Sequence, residues 1–206
     1  MVRLFGADYS VYVRICRLVL EEKQVGYELM PVDVFAENGP PNWYAEKHPF
    51  GKIPTLEHGD LALFETGAIT RYVDEAFEGP ALQPDGPVSR ARMNQILSIL
   101  DNYAYPSLVW GLYVEQVSKP TRGGLTDETR VAEALPLALT CLKTLEALKH
   151  PGPWLLGDRL TLADLYAAPM FACFIQAPAS AALMADCPSI TDWWLRIRER
   201  DSLRKT

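Results

Sequence analysis

At 206 residues, 49% hydrophobic and 22% charged, the chain is long enough for one large or two small domains with a real core, and its composition is that of a globular protein, neither disordered nor basic. A formal net charge of -6 argues against nucleic acid as a partner. No apolar run approaches the roughly 18 residues of a membrane span, and "MVRLFGADYS" lacks the basic-then-apolar layout of a secretory signal, so a cytoplasmic protein with no membrane partner is expected.

Residues 2–6, "VRLFG", form a short apolar run that reads as a strand. "SVYVRICRLVLEEKQV" then sets Val13, Cys16, Arg17 and Leu20 near a helical repeat, with Gly26 as the expected stop. "YELMPVDV" alternates as a second strand and completes a β-α-β opening. Asn, Gly and Pro crowd residues 37–42, and "WYAEKHP" is expected as a short helix ending before Pro49. "TLEHGDLALFE" supplies strands at 54–57 and 60–64 around the His58-Gly59-Asp60 turn, followed by a helix, "TGAITRYVDEAF", that turns Ile69, Tyr72 and Val73 inward.

The predicted order is therefore β-α-β-α-β-β-α. "EGPALQPDGP" carries three prolines and two glycines in ten residues, and it reads as a linker, residues 79–87, between domains 1–78 and 88–206. Beyond it the pattern is helical, at about 88–118, 126–149, 162–176 and 189–200, without a convincing strand. In "GDRLTLADLYAAP", Thr161 is expected to accept the amide proton of Asp164 while the Asp164 carboxylate reaches back to the amide of Thr161, a reciprocal cap.

Cys16, Cys141, Cys173 and Cys187 are widely spaced, with no CxxC pair and no histidine cluster suited to a metal, so they read as small buried apolar residues in a reducing compartment. His48, His58 and His150 are scattered, each beside Pro or Gly, and form no catalytic set.

The mixed half with Ile-Pro before its third strand, the proline-rich linker and the helical half with its "T-L-A-D" cap together resemble the cytosolic glutathione transferases, in particular the serine-type bacterial, phi and tau members. "PFGKIPTLEHGDLALFETGAITRYV" and "LLGDRLTLADLYAAP" carry the resemblance most specifically. It implies a thioredoxin-like glutathione-binding domain of α+β class, then an all-helical domain, and a homodimeric enzyme that conjugates glutathione to electrophilic, mostly apolar small molecules in detoxification. Glutathione would be the co-substrate, and no metal is implied.

Glutathione brings two carboxylates, an ammonium and a thiol, so its site must pair a backbone, neutralise charge and tune a sulfur. By the resemblance, the amide and carbonyl of Ile53, ahead of a cis bond to Pro54, would pair with the cysteinyl backbone like an added strand. Thr66 would cap the next helix and hold the γ-glutamyl carboxylate at its positive end. Glu65 would face the ammonium or sit in a strained turn, and Lys52 would meet the glycyl carboxylate. Asp101 would reach from a partner subunit toward the ammonium.

The thiol-activating residue would be Ser10, within "GADYSVYVRICRL", although Val11 stands where such members usually carry proline; Tyr9 is the alternative. Tyr12, Tyr103, Trp110 and Tyr113 would wall an electrophile pocket between the halves, and an aromatic stripe of that spacing is also what ordinary core looks like. Phe50 would insert into a partner subunit, against the helix holding Met93, Ile96 and Leu97. Two other functions fit the same fold: a non-catalytic glutathione-binding or scaffolding protein, and a glutathione-dependent thiol reductase or peroxidase, although a reductase normally places cysteine where Ser10 stands.

Overall fold

The computed structural model describes all 206 residues. They form two compact units, one of Met1–Gln83 with Lys205–Thr206 and one of Pro84–Arg204. The division falls inside the proline-rich segment.

The first unit is a thioredoxin-like domain built from β1 (Val2–Gly6), α1 (Val11–Glu22), β2 (Tyr27–Pro31), β3 (Thr55–His58), β4 (Leu61–Phe64) and α2 (Thr66–Ala76). Its four strands lie in the order β2-β1-β3-β4. β1 runs parallel to β2 and antiparallel to β3, and β3 pairs antiparallel with β4. As an inner strand β1 is apolar on both faces, burying Val2, Leu4 and Phe5, which is why it reads as a run rather than an alternation. A Cβ on Gly6, at its end, would lie 2.3 Å from a methyl of Val13. Glycine there lets α1 close onto the sheet.

α1 buries Val11, Val13, Ile15, Cys16, Leu18, Val19 and Leu20. It stops earlier than the Gly26 signal suggests. Lys23 is its C-cap, and Gln24 takes the left-handed conformation (φ 57). The cause is tertiary: the buried Lys23 ammonium donates to the carbonyls of Asp74 (2.9 Å) and Pro80 (3.2 Å) and lies 3.4 Å from the Asp74 carboxylate. β2 ends at Pro31, short of the alternating stretch, and "WYAEKHP" makes only a 3₁₀ turn, Asn42–Glu46. β3 begins one residue after Pro54, which has no N–H for the ladder.

The second unit is all helical. α3 (Pro87–Ile99) runs unbroken into a wide, π-wound segment, Leu100–Ser118, and a closing turn, α4 (Lys119–Thr121). The single helix expected over 88–118 is thus one stretch with two windings. Pro106 lies inside the π segment, where its missing N–H cannot support α-type bonding. α5 (Glu128–Leu148), α6 (Leu162–Phe174), α7 (Ser180–Met184), α8 (Pro188–Ile197) and α9 (Asp201–Lys205) follow. α7 and α9 are too short to leave a periodic signature.

α6 is apolar all round and is the core of this unit. Its start is held by Asp164, whose side chain is fully buried. Oδ2 accepts from the Thr161 amide (2.8 Å) and hydroxyl (3.0 Å), and Oδ1 from the Leu155 amide (2.8 Å) and the Trp193 indole (2.9 Å). The Asp164 amide donates to the Thr161 carbonyl (3.0 Å). The reciprocal cap is present as expected, the Thr161 side chain accepting from the Asp164 amide and the carboxylate from the Thr161 amide, and the hydroxyl's own proton goes to the carboxylate as well, the stronger acceptor in a dry site.

Candidate functional site at one end of the sheet

Strand register brings the predicted glutathione residues of the first unit to one end of its sheet. Phe5 pairs with Thr55, Thr55 with Phe64, and Gly6 with Pro31. The chain leaves β1 toward Ser10, enters β3 from Lys52-Ile53-Pro54, leaves β4 into Glu65-Thr66 and leaves β2 toward Asp33, all at that end. No local pattern could show this.

Ser10 is the N-cap of α1, and its Oγ accepts from the Val13 amide at 3.4 Å. Accepting there leaves the hydroxyl proton for another acceptor, at the positive end of a twelve-residue helix. Tyr9, next in the chain, is committed elsewhere. Its hydroxyl donates to Asp33 Oδ1 at 2.6 Å, and its ring lies 5.6 Å from that of Phe35. Desolvation, and then the Asp33 carboxylate, push the phenol up to about 12. Such a group is a poor proton donor to a thiolate near neutrality.

The Ile53-Pro54 bond is cis. Lys52 is exposed, Ile53 half-buried and Pro54 buried, with Gly51 bending the chain ahead of them (φ 61). At the next corner the N-cap is Glu65, not Thr66. Glu65 is an exposed residue held at φ 71, and its carbonyl receives the amides of Ala68 (2.9 Å) and Ile69 (3.0 Å). Thr66 is the first helical residue, so its amide and that of Gly67 open the helix. The Thr66 hydroxyl meets the Cys16 thiol, which burial raises far beyond its ordinary value. Cys16 is structural.

In the helical unit, Tyr103 and Trp110 are 62% and 37% exposed, so they are not core. They line a groove of about 400 Å³ between the π segment and α5, together with Pro106, Arg130 and Leu137. Tyr113 lies outside that groove. Tyr12, on α1, is half-buried in the first unit, and Asp101 is half-buried at the start of the π segment. Met93, Ile96 and Leu97 are 0%, 1% and 3% exposed, inside the core of their own unit. That face cannot receive Phe50, because the helical pattern there reflects internal packing. Phe50 itself is 70% exposed, edge-on to His48 and Phe64.

Two residues of this end escaped the sequence reading. Asp33 accepts from both the Tyr9 hydroxyl and the Phe35 amide (2.8 Å), joining two loops. Tyr44, fully buried, donates to the Lys52 carbonyl at 2.8 Å and lies 3.0 Å from the Thr55 hydroxyl. Their partners are tertiary, and no motif marks them.

Residues 4–81 match the glutathione S-transferase N-terminal domain family, and residues 91–201 match the glutathione S-transferase C-terminal domain family. Glutathione S-transferase 1 of Zea mays is 31% identical over 205 residues, covering 99% of this chain and 94% of the relative. Glutathione transferase F7 from Populus trichocarpa is similar with a TM-score of 0.85 and 28% identity, over 100% of this chain and 97% of that one. Glutathione S-transferase I from mais, in complex with an atrazine glutathione conjugate, gives 0.84 at 29% identity, over 99% and 95% of the two chains.

Proposed function

The chain belongs to the glutathione S-transferase family, and from that premise we propose how its own residues serve the reaction. The protein is a glutathione transferase, an enzyme that joins the sulfur of glutathione, its co-substrate, to an electrophilic small molecule. In our reading Ser10 is the catalytic residue: its hydroxyl donates to the glutathione sulfur and stabilises the thiolate, which then attacks the electrophile. The observation that carries this is the division of labour between neighbours, with the Ser10 proton available at a helix start and the Tyr9 proton given to Asp33.

The magnitudes suffice. A free thiol has a pKa of about 8.5, and lowering it by two units needs roughly 2.7 kcal/mol. A hydrogen bond to an ionised group contributes about 1.5–3 kcal/mol, with the end of α1 adding to it. The backbone of Ile53 pairs with the cysteinyl unit, and Lys52 meets the glycyl carboxylate. The opening amides of α2, with Thr66, hold the γ-glutamyl carboxylate, and Glu65 faces the ammonium. Tyr12 contributes to binding the electrophile. Ultraviolet difference spectroscopy of bound glutathione across pH tests the core of this reading. A thiolate band should appear about two units below the free thiol's pKa; glutathione bound only as thiol across that range overturns it.

We further propose a homodimer in the cytoplasm. Four buried thiols suit a reducing compartment. For the dimer, Phe50 of one copy seats in the groove lined by Tyr103, Trp110 and Leu137 of the other, so Tyr103 and Trp110 belong to the interface rather than to the electrophile site. Asp101 of a second copy would then approach the ammonium. Burying a phenyl from each subunit contributes about 1.5–3 kcal/mol apiece, so Phe50→Ala should shift the assembly toward monomer. Light scattering over a dilution series decides it, and a mutant as dimeric as the parent at low micromolar concentration removes Phe50 from the interface.

A further inference from the structure

Tyr44 has one hydroxyl proton and two polar neighbours. The Lys52 carbonyl, 2.8 Å away, can only accept. The single proton therefore goes to Lys52, and the Thr55 hydroxyl at 3.0 Å must be the donor of the second bond. The result is a directed chain, Thr55 to Tyr44 to Lys52. Its root is rigid: Thr55 is buried at the start of an inner strand, paired with Phe5 on one side and Phe64 on the other. Its tip is the carbonyl that enters the Ile53 peptide, next to an exposed lysine and just past the bend at Gly51.

The ring of Tyr44 is fixed independently of its hydroxyl. It packs with Phe5 and Val32 in one apolar cluster, against which Ile53 also lies, and it has the rings of Trp43 and His48 at 5.8 Å and 6.4 Å. Burial raises the phenol, and the Thr55 hydroxyl pulls it back only in part, so it stays protonated as a donor. A buried, ring-locked donor aimed at one loop carbonyl sets that loop's height over the sheet.

We propose that Tyr44 is a positioning residue for glutathione: through the Lys52 carbonyl it sets the Lys52–Pro54 backbone that pairs with the cysteinyl unit, without touching the ligand. This rests on the reading that Ile53 makes that pairing. Removing only the hydroxyl lets the loop relax, and binding loses preorganisation while the chemistry at Ser10 is untouched.

The test is glutathione titration of the full chain, by calorimetry and by amide NMR, on the parent, Tyr44→Phe and Thr55→Val. Tyr44→Phe should raise the Kd about five- to tenfold, with kcat at saturating glutathione and the pKa of the bound thiol as in the parent. Thr55→Val removes a buried bond but keeps the one to Lys52, so it should lower the melting temperature while leaving Kd within about twofold. Affinity as in the parent for Tyr44→Phe overturns the proposal, as does an equal loss in both variants, which would mean general loosening. The underlying reading is tested separately in the parent: if the Ile53 amide does not shift on glutathione binding, that pairing is wrong and the role of Tyr44 falls with it.

Discussion

Two helix starts in this protein are capped by neighbouring chemistry and serve opposite ends. At Thr161 the cap is saturated: one fully buried carboxylate, Asp164, takes four donors at 2.8–3.0 Å, from Leu155, Trp193 and twice from Thr161. At Ser10 the cap is a single long bond of 3.4 Å on a half-buried side chain. The first start has no bonding capacity left and locks the core of the helical unit. The second keeps a proton and an open amide end in reserve, and by our reading the substrate sulfur completes it. A cap left incomplete is thus a better pointer to function than a perfect one.

The comparison can be broken from its stable side first. Asp164→Ala leaves four buried donors without their acceptor and should destabilise the helical unit by about 3 kcal/mol. Calorimetry should show its transition falling by about 6–12 °C, while the pKa of glutathione bound to the folded protein is unchanged. A shifted thiol pKa at an unchanged melting temperature would reverse the assignment of the two caps.

The complementary change is Ser10→Ala. One long bond is lost, so the stability cost should be near the low end for caps, about 0.5 kcal/mol. The rate at neutral pH should fall at least about tenfold, equivalent to about 1.4 kcal/mol in the barrier, with the thiol pKa moving toward its free value. Glutathione affinity should stay close to that of the parent, and an unchanged pH–rate profile would move the role to Tyr9.

The smallest effect is expected from Tyr9→Phe, which sharpens the contrast between adjacent residues. With its phenol near 12, Tyr9 is protonated in both folded and unfolded chains across about pH 6–9, so turnover there should stay within about twofold. A difference should appear only in strong alkali. The unfolded phenol ionises near its ordinary 10.0 and the folded one near 12, so stability contributed by Tyr9 is present below about 10 and lost as pH rises through 12. Melting curves against pH should show this slope in the parent and lose it in Tyr9→Phe; a changed rate profile near neutrality would contradict the division of labour.

Much of this was legible before any tertiary contact was known. The apolar run 2–6, the alternation around His58-Gly59-Asp60 and the repeat through Val13, Cys16 and Leu20 each became the element their period predicts. The errors lie where a distant residue outbids a local signal. Gly26 has the right chemistry for a helix stop, yet Lys23, drawn to Asp74 and Pro80, ends α1 before it. Met93, Ile96 and Leu97 form a good apolar face, but periodicity does not say whether such a face meets its own core or a second copy.

By itself the sequence determined most of the longer elements and the family, because periodicity, turn residues and the Ile-Pro and T-L-A-D stretches are local and each acts within a few residues. Only the tertiary structure decided which of two adjacent hydroxyls keeps its proton, since the competitor for Tyr9 is Asp33, 24 positions away. The same holds for Tyr44 and the loop it holds. Hydrogen bonds are directional and short-ranged, so their partners exist only once strand register has brought four loops to one end of the sheet.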